Sequence, residues 1–157
     1  VKHLGKVAFT TKESSVKYMK SSYRISPIGK KGSQYPSCWE MPVKSWITRP
    51  TDETGTVKAG KVQIVGVAMG GTKKVRSVKV SVDGGGSWKK AKFIGPNLGK
   101  YAWRQFVLET TLSAGTYNIA SLASNGGNDK QPELRMENRR GYAHNGWKDH
   151  SVNITVV

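Results

Sequence analysis

The side chains best suited to chemistry in this chain are few, and their spacing excludes most kinds of site. The histidines are His3, His144 and His150, and the lone cysteine is Cys38. None stands at a Cys-x-x-Cys, His-x-x-x-His or His-Glu-x-x-His spacing, so no metal-ligand set is written into the sequence. Cys38 lies in Gln34-Tyr-Pro-Ser-Cys-Trp-Glu-Met41 with no base beside it, and reads as a free or packed thiol rather than a nucleophile. With one cysteine, no internal disulfide can form. No Gly-x-Ser-x-Gly elbow occurs. Asp52 and Glu53 are adjacent in a turn and read as solvated charges, not as an acid/base pair. Gly84-Gly85-Gly86 lies between two expected strands, which makes it a hairpin turn and not a phosphate loop ahead of a helix. Composition and spacing alone therefore reach a chain with no self-contained active site, a binding or assembly module.

The elements that would carry such a module are short strands. Val78, Val80 and Val82 alternate with Lys79 and Ser81, the period of a strand with one face on a core and one in water. Asp83-Gly-Gly-Gly86 supplies turn positions of positive φ, and Ser87-Trp88 opens the returning strand, with Trp88 large enough to plug a core. Further strands are expected at Val43–Thr48, Lys61–Met69, Ser87–Ile94, Tyr101–Glu109, Tyr117–Ser124 and Val152–Val156. Lys61–Met69 is apolar on both faces, as a central strand would be. Turn-punctuated strands at this spacing predict an all-β, immunoglobulin-like sandwich of about seven strands. Residues 1–40 are unlike the rest. They are irregular, and Ile25–Pro36 is rich in Pro, Gly and Ser, like an extended linker. The expected division is therefore an N-terminal arm, 1–40, and a sandwich, 41–157.

The formal net charge is +16, from 26 basic and 10 acidic residues. Such a field draws in anions of any kind. The charge is spread along the chain, and no basic block carries the interleaved aromatics of a single-strand nucleic-acid platform. A solvated basic surface, or attraction to small anions and an acidic partner, fits better than nucleic acid, and a basic nucleic-acid-binding sandwich is the weakest reading. No apolar run approaches the roughly 20 residues of a membrane helix. Asn153-Ile-Thr155 is a glycosylation sequon inside the last strand, with meaning only in a secreted eukaryotic protein. The chain begins with Val1 rather than Met, which reads as a processed, truncated or cleaved start.

Several stretches, in order, resemble the C-terminal part of the sulfite oxidase family of molybdenum enzymes. The hairpin Ser81-Val-Asp-Gly-Gly85 followed by Ser87-Trp88 is similar to that family's motif. So are Met41-Pro-Val-Lys-Ser45 with Ile47-Thr-Arg-Pro50, the Gly-ended strand Lys61–Gly71, and Gln131-Pro132 followed by Asn138–Trp147. Leu98-Gly-Lys-Tyr-Ala-Trp-Arg104 resembles the bacterial sulfite dehydrogenase branch. The arm matches as well. Val1–Val7 looks like the last strand of the molybdopterin-binding domain, and Tyr18–Ile25 like the segment with the active-site tyrosine.

By that resemblance Lys2 is a cofactor-contacting lysine and Tyr23 a catalytic, substrate-pocket tyrosine, while His3 replaces a tryptophan common in the family. Lys73 is the best match to an anion-binding arginine that follows the glycines of the second strand. A lysine keeps that charge but loses the bidentate fork. The family's molybdenum-ligating cysteine lies in the preceding domain, and Cys38 is in the wrong place to replace it. The resemblance thus implies the tail of a catalytic domain plus a dimerisation domain. The molybdenum–molybdopterin cofactor would be held mainly by residues outside this chain, which alone would be inactive and bind no metal. Implied partners are the N-terminal molybdopterin domain, a second copy, and a c-type cytochrome as electron acceptor. The implied chemistry is oxidation of an oxyanion such as sulfite, in the periplasm. The rival reading is a free-standing β-sandwich assembly module without catalysis.

Overall fold

Alternating valines build the sandwich as the sequence suggests. The computed structural model describes residues 2–157. Its strands are β1 (Lys44–Arg49), β2 (Gly60–Met69), β3 (Val75–Ser81), β4 (Lys89–Lys90), β5 (Lys92–Ile94), β6 (Arg104–Leu112), β7 (Gly115–Asn125) and β8 (Val152–Val156). They form two antiparallel four-stranded sheets, ordered β1-β2-β6-β5 and β4-β3-β7-β8. Every other side chain of β3, β6 and β8 points inward, so Val78, Val80, Phe106, Leu108, Ile154 and Val156 meet Ile64 and Ile119 in one core. The fold is the all-β, immunoglobulin-like sandwich expected.

Two strand expectations need correction. Ser87–Ile94 is not one strand. Lys89–Lys90 pairs with β3 in the second sheet, while Lys92–Ile94 pairs with β6 in the first. Ala91 lies between them, buried, and its N–H donates to the Val78 carbonyl at 2.9 Å. A methyl side chain is small enough to pass through the core edge where the chain changes sheets. The strand expected from Tyr101 begins only at Arg104 and runs to Leu112.

Trp88 does not plug the core. It is half-buried beyond the end of β3, where its ring packs edge-on against Trp147 with centroids 5.1 Å apart. The fully buried aromatic is Phe106, which fits because Gly66 on β2 has no side chain. A Cβ there would lie 2.3 Å from the Phe106 ring.

Among the described residues, buried side-chain polar groups of the sandwich are satisfied, as a dry core requires, except Arg104 Nε on β6 and His150 Nε2, which have no hydrogen-bond partner. The Ser45 hydroxyl on β1 and the Ser121 hydroxyl on β7 lie 3.0 Å apart. Gln131 Oε1 accepts from Ser45 Oγ and the Ala123 N–H, and Gln131 Nε2 donates to the carbonyls of Ser45 and Asn145. One buried glutamine so ties both sheets to the segment that leads into β8.

The chain divides into two compact units, one of Val1–Trp39 with Glu137–Tyr142, the other of Glu40–Met136 with Ala143–Val157. The first holds a single helical turn, α1 (Lys17–Lys20), and a 3-10 turn at Gly32–Gln34. The strand expected over Val1–Val7 is absent at residues 2–7, and Val1 itself lies outside the described residues. An extended segment becomes a strand only when a second segment completes its hydrogen-bond ladder, and among the described residues none pairs with this one. Among the described residues no helix is long and apolar enough to cross a membrane.

Candidate functional site

Within the first unit, the residues of interest are set by one turn. Tyr23 has φ 54°, left-handed backbone that a bulky residue adopts only when its surroundings impose it. Those surroundings are visible. The Tyr23 carbonyl accepts from the Cys38 N–H at 2.7 Å, and Ile25 N–H donates to the Pro36 carbonyl. The Arg24 guanidinium donates to the carbonyls of Tyr35 and Met19, pulling both flanks of the turn together. Arg24 Nε is buried without a partner. The close approach needs Gly32, where a Cβ would sit 2.6 Å from the Ser21 carbonyl oxygen. The turn leaves the Tyr23 ring exposed and stacked on Tyr142, with centroids 6.0 Å apart and planes 18° from parallel.

Tyr142 is held from its own side. Asn138 is buried, its amide donating to the Tyr142 carbonyl while its Oδ1 accepts from the N–H groups of Arg140 and Tyr142. The cations Arg139 and Arg140 are exposed on this loop. The unit so presents two stacked phenols with guanidinium groups on the same short loop, an arrangement that can donate hydrogen bonds to an anion. Tyr142 was not singled out by sequence reading. Its partner lies more than a hundred positions away, and no spacing rule joins them.

Lys2 is exposed, and no hydrogen bond or ring contact links it to Tyr23. Lys73 belongs to the second unit, exposed on the Gly70–Lys74 loop between β2 and β3. That loop is stiff. Gly70 and Gly71 are buried, and a Cβ on Gly70 would lie 2.2 Å from the Lys73 carbonyl oxygen. Asn125, itself buried, donates to the Gly70 carbonyl at 3.0 Å, and Gly126 N–H donates to the Lys74 carbonyl. The Lys73 backbone is thus held by its loop while its side chain is exposed.

No group of three or more His, Cys, Asp or Glu among the described residues could hold a metal ion. Desolvation pushes the Cys38 thiol above its ordinary value against the pull of the Arg24 charge, which disfavours the thiolate a metal would need.

The Ser81–Trp88 hairpin is structural. The Ser81 and Ser87 hydroxyls and the Ser87 N–H donate to the Asp83 carboxylate, holding it well below the usual carboxylate range. Gly85, at φ 100°, lets the Trp147 ring approach to where a Cβ would lie 2.5 Å from it.

Comparison with known proteins agrees with this anatomy. Residues 35–157 match the family model described as the Mo-co oxidoreductase dimerisation domain. The mitochondrial sulfite oxidase of Macaca fascicularis is 36% identical over 170 residues, covering 100% of this chain and 31% of that protein. The human mitochondrial enzyme is 36% identical over 169 residues, covering 99% of the chain and 30% of its own length. Among solved structures, the sulfane dehydrogenase SoxCD from Paracoccus pantotrophus superposes with TM-score 0.62 at 27% identity, over 74% of this chain and 33% of that one. The chain spans about a third of the length of the curated relatives it matches. With a family match over most of its length, laid on the two-sheet sandwich it requires, the chain belongs to the Mo-co oxidoreductase dimerisation domain family.

Proposed function

We propose that this chain is the C-terminal, assembly-forming part of a molybdenum-cofactor oxidoreductase of the sulfite oxidase or sulfite dehydrogenase type. The observation that carries the reading is the family match over residues 35–157, in relatives that are named sulfite oxidases and are about three times longer. In this reading the sandwich joins two copies, and the first unit lies against a molybdopterin domain. Leu4, Val7, Phe9, Val16 and Tyr18 are exposed on that first unit, apolar side chains that such a contact would cover.

The cofactor would be held by residues outside this chain, with Lys2 reaching toward it. When bound elsewhere it would supply oxygen-atom transfer to an oxyanion such as sulfite. Tyr23 would donate its phenolic hydrogen to that oxyanion, and Lys73 would add positive charge. A c-type cytochrome as electron acceptor and a periplasmic home belong to the same reading and rest on the resemblance alone.

Light scattering on the purified chain tests the assembly role. The expected mass is twice 17.2 kDa at micromolar concentration; a monomer at every concentration overturns it. Metal analysis of the same material should find no molybdenum, and a stoichiometric amount would place the cofactor site within the chain.

A further inference from the structure

The outer face of the second sheet carries a pocket of about 380 Å³ that the proposed function does not use. Arg76 and Lys79 reach it from β3, Lys90 from β4, and Lys130 from the loop after β7, with the Ser77 and Ser124 hydroxyls in its lining. No carboxylate lines it. The nearest in sequence, Asp129, accepts at 2.8 Å from the side-chain amide of Asn125, itself a lining residue, so one carboxylate stands beside the pocket against its four cations. None of the four cations forms an ion pair among the described residues. Arg76 finds only the neutral Asn128 side-chain oxygen, at 3.3 Å.

Two features argue against a merely solvated face. Lys79 and Lys90 are direct cross-strand partners, a like-charge pairing that costs stability unless an anion lies between them. Ser77 Oγ and Ser124 Oγ are 2.7 Å apart, so one hydroxyl hydrogen is spent on the other oxygen and the second remains to be donated outward. Lysines at a sheet edge also block strand addition, which accounts for Lys89 and Lys90 on β4 but not for Arg76 or Lys130.

We infer that this pocket docks a carboxylate-rich segment of an acidic partner protein. Size and lining select that occupant. The cavity is several times the volume of one tetrahedral oxyanion, so it suits a run of side chains rather than a single ion. It has no aromatic side chain on which a base could stack, so a nucleic-acid strand would gain only backbone charge there. Four cations converging from two strands and a loop match several carboxylates on one extended segment, and steer it in from a distance.

The test is fluorescence anisotropy of a labelled oligoglutamate peptide with the full 157-residue chain at physiological ionic strength. The variant Lys79→Gln/Lys90→Gln is compared with Lys58→Gln/Lys61→Gln, which removes the same charge from other exposed lysines. The expected result is a loss of about tenfold or more for the first and less than about twofold for the second. Equal losses in both, or none in the first, overturn the site and leave only the overall field. Inorganic phosphate and a single-stranded oligonucleotide serve as competitors. Displacement of the peptide by millimolar phosphate, or tighter binding of the oligonucleotide than of the peptide, overturns the acidic-protein assignment. Should the double variant fail to fold, Lys130→Gln lies outside the strands, and its expected loss of peptide affinity is read against Lys58→Gln in the same way.

Discussion

At the scale of single residues, His150 and Tyr23 carry the sharpest consequences. The His150 imidazole is pulled below its ordinary value of 6.5, first by desolvation and then by the Lys44 and His144 charges. His144 lies 4.9 Å away ring to ring, Trp46 lies 6.2 Å away, and the Asp149 charge acts in the opposite direction, favouring the proton. A histidine kept neutral by the fold binds its proton more readily when unfolded. Its stabilising contribution is therefore full above the unfolded value and is lost as pH falls through the lower folded one. Thermal melting between about pH 7 and pH 5 should show a falling Tm in the native chain and a flatter profile in His150→Gln. Equal slopes would remove His150 as the cause. Asp149 belongs to a more acidic window. Burial works against its charge, yet hydrogen bonds and charges from His144 and Arg135 outweigh that and lower it. For Tyr23, placed in a polypeptide that also carries the molybdopterin domain, Tyr23→Phe should reduce sulfite turnover at least about tenfold with little change in Tm. Unchanged kinetics would take the phenol out of the site.

At the scale of elements, glycines decide what packs where. The alternation in Val75–Val82 and the Asp-Gly turn were legible because each is a property of neighbouring residues. Gly66 in mid-strand was not informative as a letter, since its reason is the Phe106 ring on the adjacent strand. Gly66→Ala should cost about 1–3 kcal/mol by overpacking, read by chemical denaturation. Gly85→Ala meets both a positive φ and the Trp147 ring, so it should lower Tm by several degrees. A neutral result at Gly85 would show that Trp147 can swing away. Ala91 taught the same lesson. The run Ser87–Ile94 around it reads as one strand, and only its pairing partners on either side reveal that it belongs to two sheets. Trp88 reads as a core residue by size, yet the strand end on which it stands puts it at the rim.

At the scale of the whole molecule, charge and apolar surface oppose each other. A chain of net charge +16 repels its own copy, so the proposed dimer must gain from apolar contact what it loses to repulsion. Apolar surface is available on the outer face of the first sheet. Trp46 and Trp103 pack there at 4.6 Å, and Leu98 and Tyr101 are exposed on the adjoining β5–β6 loop. Self-association through this face should strengthen as salt screens the repulsion, and Leu98→Asp/Tyr101→Asp should shift the light-scattering mass to that of a monomer without changing the circular dichroism. A variant that stays dimeric would move the interface to another face.

By itself the sequence determined the fold class, the hairpin and the family resemblance. Side-chain alternation and positive-φ turns act over a few residues, and a motif order survives without any knowledge of contacts. It also named Tyr23, Lys2 and Lys73, but only as residues in matching places. The tertiary structure decided which side chains meet. It stacked Tyr142 on Tyr23, clamped the turn with Arg24, divided one apparent strand between two sheets and brought Arg76, Lys79, Lys90 and Lys130 around one pocket. Those outcomes depend on register between strands and on loops that cross long stretches of chain. Register is set by the sum of many weak contacts across the sandwich rather than by any residue's neighbours in sequence.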